Sequence, residues 1–163
     1  HTFFTNRAGG VVPTIRKRFQ PELCTVAWAK MYELLSQFEL LPECGQTPTR
    51  DPAVTIHLCE APGAFIAATN HYIKTKCGQL EWDWLASSLN PYCESNDQGA
   101  VIDDDALIVE TQEKWFWGAD NTGDIRSHSN IKALWEASLA LCHSKKCGGA
   151  ILVTCDGSVD CQE

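Results

Sequence analysis

Two short β-forming runs, "AVTIHL" and "WDWLASSL", flank "CEAPGAFIAATNHYIK", which reads as a tight corner followed by a helix. Two strands joined by a helix within about thirty residues make a βαβ unit, and the crossover leaves the strands parallel. Parallel sheets have both faces covered by helices, so the chain is expected to be an α/β protein with a doubly wound sheet. In such sheets ligands bind outside the carboxyl ends of the strands. That directs attention to the corner itself, Glu60-Ala61-Pro62-Gly63, and to whatever else the topology brings there.

The rest of the chain fits this plan. "GAILVTC" is a continuous apolar run bounded by glycine and closed by Asp156, and reads as a buried strand. "KWFWG" is expected to be a further strand, and the second run to extend from Trp82 to Leu89. Pro21 at a first helical position predicts a helix over residues 21–41, with Leu23, Val26, Ala27, Leu34, Phe38 and Leu41 on one face. "NIKALWEASLALCH" predicts another, with Ile131, Leu134, Trp135, Leu139 and Cys142 apolar. "PECGQTPTRDP" separates the first helix from the first strand. Residues 1–20 contain Gly9, Gly10 and Pro13 and are expected to form an irregular basic arm, with residues 21–163 as one domain. Arg16, Lys17 and Arg18 in that arm fit a local RNA contact and a solvated cluster equally well.

Thirteen basic against twenty-one acidic residues give a net charge of −8, which argues against non-specific nucleic-acid binding by the surface as a whole. No run approaches the roughly 18 apolar residues of a membrane helix, and the first residues lack the pattern of a secretion signal. Nine cysteines, several inside apolar runs, are therefore read as reduced thiols that behave as small buried hydrophobes. Zinc held by Cys142, His143, Cys147 and Cys155 is the sharper alternative, but no C-x-x-C pair supports it and no metal is expected.

Four places at the strand ends carry candidate chemistry. Gly63 permits close approach of a ligand, and the helix that follows offers free amides for a carboxylate or phosphate. Ser88 and Asn90 end the second strand with hydrogen-bonding but uncharged groups where nucleotide-binding sheets usually place an acid. Asp124, after a Thr-Gly turn, could accept an amino proton from an adenine. Asp156 closes the last strand, where a charge needs a partner or a task. Lys30 sits at the border of the first helix's apolar face, one turn from Glu33, and fits either a surface pair or a tuned base.

"HLCEAPGAF", "WLASSLNPY", "DNTGDI" and "VTCDGSVDCQ", in this order, with "AWAKMYE" before them, resemble the FtsJ-like 2′-O-ribose methyltransferases. The resemblance covers roughly residues 20–163. Within the family it is nearest the branch acting on the second transcribed nucleotide of capped mRNA, which shares His57 and Ala64 where most members have Asp and Gly. It implies a Rossmann-like sheet binding S-adenosyl-L-methionine, with Glu60, Ala61, Pro62 and Gly63 against the methionine part, Ser88 and Asn90 near the ribose, and Asp124 near the adenine. Asp156 belongs to the cofactor site and also to the family's catalytic Lys-Asp-Lys-Glu set, which Lys30 begins. The second lysine and the glutamate would follow Glu163, so at most four of the family's seven strands are expected here, and this chain alone is expected to be inactive. The resemblance further implies capped mRNA as partner and an intracellular, nuclear or cytoplasmic, location. A non-catalytic cap- or RNA-binding module and a first-nucleotide cap enzyme are the alternatives. A nicotinamide-dependent oxidoreductase is disfavoured by the missing G-x-G-x-x-G.

Overall fold

The computed structural model describes residues 7–42, 52–78 and 80–157. Most of the proline-rich break, Cys44, Cys161 and the first six residues of the expected arm lie outside the described residues. Strand β1 (Ala53–Leu58) pairs in parallel with β2 (Trp82–Ser87) on one side and with β3 (Leu152–Cys155) on the other, giving the order β2-β1-β3. The register sets Leu58 beside both Ser87 and Cys155, so all three strands end at the same edge. The chain has the α/β, Rossmann-like fold that its alternation of strands and helices dictates.

Val54 and Thr55 are fully buried, as a central strand requires. His57 is buried as well, and its ring bridges two strands. Nε2 lies 2.8 Å from Thr55 Oγ1 and Nδ1 lies 2.8 Å from Thr154 Oγ1 on β3. Trp82 Nε1 donates to the same Thr55 hydroxyl at 3.1 Å. The pattern is satisfied when Thr55 donates to Nε2 and the Nδ1–H donates to Thr154. Burial lowers the His57 pKa to about 3, so the imidazole is neutral.

Helices cover the sheet. α3 (Ala64–Lys76) follows β1 and buries seven residues, among them Phe65, Ile66 and Ala68. α2 (Val26–Gln37) lies on α3, and the Thr25 hydroxyl caps it by accepting from the Trp28 amide at 3.2 Å. Helix α2 is shorter than the sequence predicts, and its buried face is rotated by one position. Trp28, Met31 and Leu35 face inward, while Val26, Leu34 and Phe38 are exposed. Aromatic contacts decide the phase, since Trp28 stacks on Tyr32 with centroids 5.1 Å apart and meets His71 of α3 edge-on at 5.5 Å.

Three other expectations are corrected. The expected irregular arm contains α1 (Val11–Phe19), which follows a 3₁₀ turn over Arg7–Gly10 and seats Val12 and Ile15 on the core. "KWFWG" is no strand. It makes a single bridge, Trp115 beside Ala86, because Trp115 is taken up edge-on by Trp84 and stacked by Trp117, and a turn at Gly118 (φ +83°) follows. Finally, β3 is not buried throughout. Its residues alternate, with Val153 60% exposed, because β3 is an edge strand of the described sheet.

A short helix, α4 (Ala106–Glu110), leads to a 3₁₀ turn, and α5 (His128–Lys145) returns the chain to β3. Of the apolar face expected on α5, Leu134 and Cys142 are buried, whereas Ile131, Trp135 and Leu139 are exposed. At the opening end of β2, the nearly buried Asp83 carboxylate accepts from Lys114 Nζ at 2.5 Å and Lys145 Nζ at 2.7 Å. Burial alone would raise its pKa, but the two ammonium groups and the Trp84 amide hold it below the usual carboxylate range.

Cys24, Cys59, Cys93, Cys142, Cys147 and Cys155 are free thiols, whereas Cys77 is disulfide-bonded, contrary to the expectation of reduced cysteines throughout. Among the described residues no helix is long and apolar enough to cross a membrane, and no three His, Cys, Asp or Glu side chains cluster to hold a metal.

Candidate active site

The corner after β1 is built by its own acid. Cys59 takes a left-handed backbone (φ +53°), the Ala61–Pro62 peptide is cis, and Gly63 sits at φ +110° as the N-cap of α3. Glu60 is 4% exposed. Its Oε1 accepts from the Phe65 amide at 2.8 Å and the Ile66 amide at 3.0 Å. The free amides expected at this helix start are therefore partly taken, because a buried carboxyl five residues upstream reaches them first. Burial raises the Glu60 pKa, the two amides oppose this, and the Asp156 charge adds to it. The result is about 8. Glu60 Oε2 lies 3.9 Å from His57 Nδ1, a contact between largely neutral groups.

β2 ends against this corner. The Glu60 amide donates to Ser87 O at 3.2 Å and the Ala61 amide donates to Ser88 Oγ at 3.3 Å, so Ser88 fastens the two strand ends together. Asn90 is 2% exposed. Its Nδ2 donates to Asn121 O, its Oδ1 accepts from the Tyr92 amide, and its own amide donates to Thr122 O. Asn90 thus ties the end of β2 to the Asn121–Thr122 turn, with both ends of its side chain already engaged.

The Gly118–Asp124 loop is brought to the same place. Gly123 (φ +74°) passes so near that a Cβ there would stand 1.8 Å from Ser88 O. Asp124 is 28% exposed and takes both Arg126 Nε (3.0 Å) and Nη2 (2.8 Å), which holds its pKa low and its charge negative. The organiser of this loop is Asn130, buried in the first turn of α5. Its Oδ1 accepts from the Ala119 amide (2.8 Å), and its Nδ2 donates to Asp120 Oδ1 (2.9 Å) and Asp124 O (3.0 Å).

The end of β3 completes the convergence. A Cβ on Gly157 would stand 2.7 Å from Cys59 Sγ and 3.5 Å from Cys155 Sγ, so the chain after Asp156 lies directly on the corner after β1. Burial, the neighbouring Cys155 and the Asp124 charge together push the Cys59 thiol up to about 11. Asp156 itself is exposed, not buried as the strand pattern implied, and its charge is felt at Glu60. Lys30 lies on the solvent side of α2. Glu33, its expected partner, accepts instead from Gln37 Nε2 at 3.1 Å, and among the described residues no contact joins Lys30 to Asp156.

Sequence reasoning missed Asn130, the meeting of Cys59 with Cys155 and the bridging role of His57. The first had a signal: an asparagine opening a helix directly after an Asp-Asn-Thr-Gly-Asp loop is well placed to hold that loop's amides. The others depend on contacts between residues about a hundred positions apart.

A parallel α/β sheet here gathers a glycine corner, a neutral polar strand end and two aspartates at the edge where such sheets bind their ligands. Residues 24–163 match the FtsJ-like methyltransferase family, and the chain belongs to it. Among curated proteins it is 49% identical over 162 residues to the cap-specific mRNA (nucleoside-2′-O-)-methyltransferase 2 of Danio rerio, covering 99% of this chain and 21% of that protein. The proteins of the same name from Pongo abelii and Drosophila melanogaster are 44% and 39% identical over 164 residues, covering 99% of this chain and 20% and 22% of theirs. The chain spans about a fifth of the length of these relatives. No solved structure matches it.

Proposed function

We propose that this chain is the cofactor-binding part of an S-adenosylmethionine-dependent enzyme that methylates the ribose 2′-hydroxyl of the second transcribed nucleotide of capped mRNA. The observation that carries the reading is the convergence of four chain segments, Cys59–Gly63, Ser88–Asn90, Gly123–Asp124 and Cys155–Gly157, at one sheet edge, in a chain so similar to proteins named cap-specific mRNA (nucleoside-2′-O-)-methyltransferase 2. The residues present fit the cofactor. Ser88 would offer a hydroxyl to a ribose, Asp124 a carboxylate to an adenine amine in place of part of its Arg126 contact, and Asp156 a negative charge to a cationic sulfonium. Glu60, with a pKa near 8, is largely protonated at neutral pH and would not repel a methionine carboxylate lying against Ala61, Pro62 and Gly63.

When bound, S-adenosylmethionine supplies an electrophilic methyl group. The protein would position the ribose hydroxyl in line with it, and Lys30 and Asp156, the two members of the family's catalytic set in this chain, would take part in removing the hydroxyl proton. Positioning would supply most of the acceleration, with acid–base help of about 10²–10⁴-fold. Isothermal calorimetry of S-adenosylmethionine against the chain should show stoichiometric heat. In a polypeptide that carries this chain and is active on capped RNA, Lys30→Ala and Asp156→Ala should each lower methyl transfer at least 100-fold at unchanged stability. Full activity in either variant would remove the mechanism. RNA binding without cofactor heat would instead favour a non-catalytic cap-binding module.

A further inference from the structure

Cys59 and Cys155 meet where β1 and β3 end, and the mechanism above gives their sulfurs no task. The register sets Leu58 beside Cys155, so Cys59 is the next residue along. Neighbouring strands lie roughly 4.8 Å apart and one residue adds about 3.3 Å of rise, which puts the two Cα atoms inside the roughly 4.4–6.8 Å span of bridged cysteines. Along a regular strand an offset of one residue would send the two side chains to opposite faces. The left-handed backbone of Cys59 (φ +53°) ends that alternation. Both sulfurs lie against Gly157, since a Cβ there would stand 2.7 Å from Cys59 Sγ and 3.5 Å from Cys155 Sγ. Burial first, and then the charge and hydrogen bonding of Cys155, hold the Cys59 thiol in its protonated form.

The two thiols differ in what reaches them, for Cys155 is exposed and Cys59 half-buried. Their neighbours give the pair its meaning. Cys59 directly precedes Glu60, and Cys155 directly precedes Asp156, whose charge is felt at Glu60. Non-bonded atoms rest roughly 3.5–4.0 Å apart and disulfide sulfurs about 2.05 Å, so bridging the pair draws the β1 corner and the end of β3 together. Cys142 and Cys147 suit this chemistry less well. Cys142 is buried, and the Cys147 thiol donates to the Cys142 and Gly149 carbonyls at 3.5 and 3.6 Å, before β3 begins.

We infer that Cys59 and Cys155 form a modification site, a dithiol that peroxide oxidises to a disulfide, and that the disulfide closes the strand edge against the cofactor. The effect on the cofactor rests on the methyltransferase reading above, whereas the pairing does not. The Cys155 sulfur attacks one peroxide oxygen, the O–O bond breaks, and a sulfenic acid forms with loss of water. The Cys59 sulfur then displaces that oxygen from Cys155. The S–S bond forms, and the Cys59 proton leaves with the hydroxyl as a second water. In all, two thiols are oxidised and one peroxide is reduced to two waters.

The test treats the chain with hydrogen peroxide, maps its disulfides by proteolysis and mass spectrometry, and titrates S-adenosylmethionine by calorimetry before and after. The peptides carrying Cys59 and Cys155 should cross-link, with loss of two hydrogens. A misplacement of about 1 Å can cost a site about 10²-fold, so affinity should fall at least about tenfold. It should return when a glutathione buffer reduces the bond. Binding and oxidation oppose each other equally, so saturating cofactor should shift the equilibrium in that buffer toward the dithiol by the same factor. Cys59→Ser and Cys155→Ser, made separately, should show no affinity change on oxidation. Both keep Cys77, which is disulfide-bonded, and so control for its response to the same buffers. Absence of the cross-link overturns the inference, as does a cross-link that leaves affinity unchanged or an equal loss in the serine variants. A cross-link in a chain that gives no cofactor heat even when reduced defeats the methyltransferase reading and leaves the dithiol standing. Normal heat with no cross-link does the reverse.

Discussion

Gly63 carries a backbone angle that side chains rarely adopt, and its missing Cβ is where Leu107 sits. Gly63→Ala should therefore cost about 1–3 kcal/mol from strain and overlap together, read as a lower urea midpoint at unchanged m-value. Glu60 and His57 make opposite pH predictions. Glu60 is raised from 4.5 to about 8 on folding, so the folded chain holds the extra proton, and that contribution is full below pH 4.5 and lost as pH rises to 8. His57 is lowered from 6.5 to about 3, so its contribution is present above pH 6.5 and lost as pH falls to 3. Stability should be nearly flat between pH 4.5 and 6.5, where the two oppose, and should decline on either side. Glu60→Gln should remove the decline between pH 6.5 and 8 and leave the acid limb; denaturant titrations at a series of pH values would check it. The sequence displayed Glu60 and Gly63 plainly. It could not display that the acid spends itself on the helix amides, because that depends on the path the chain takes between them.

At the scale of elements, β1, β2 and α3 were legible almost to the residue, because β-branched runs and a glycine corner leave little choice. The faces of α2 and α5 were not. Both helices are apolar on more than one side, and which stripe turns inward is decided by partners, Trp28 against His71 in one case and Asn130 against the Gly118–Asp124 loop in the other. Asn130→Ala leaves the Ala119 and Asp120 amides without their acceptor, which should cost about 1–3 kcal/mol and weaken S-adenosylmethionine binding by freeing Asp124. Paired thermal-shift and calorimetric titrations would check both effects. Asp83→Ala strands two half-exposed ammonium groups whose charges water can still screen, so a loss of about 1–2 kcal/mol is expected, smaller at high salt. Its effect on cofactor binding should be negligible, since Asp83 opens β2 while the site lies at the strand's other end.

For the whole molecule, what sequence could foresee was the meeting of distant segments at one edge, since a parallel sheet sends every strand the same way. What it could not foresee was how much of that edge is occupied by the protein's own hydrogen bonds. The imidazole clasped between Thr55 and Thr154 carries a further consequence. Side chains alternate along a strand, so sliding the third strand by one place would offer the ring Val153 or Cys155 in place of a hydroxyl. A stranded ring nitrogen in a dry interior costs about 1–3 kcal/mol. The molecule therefore carries its own alignment key: misthreaded sheets are penalised before any cofactor arrives, and Asp156 is delivered beside Glu60 only when the key fits.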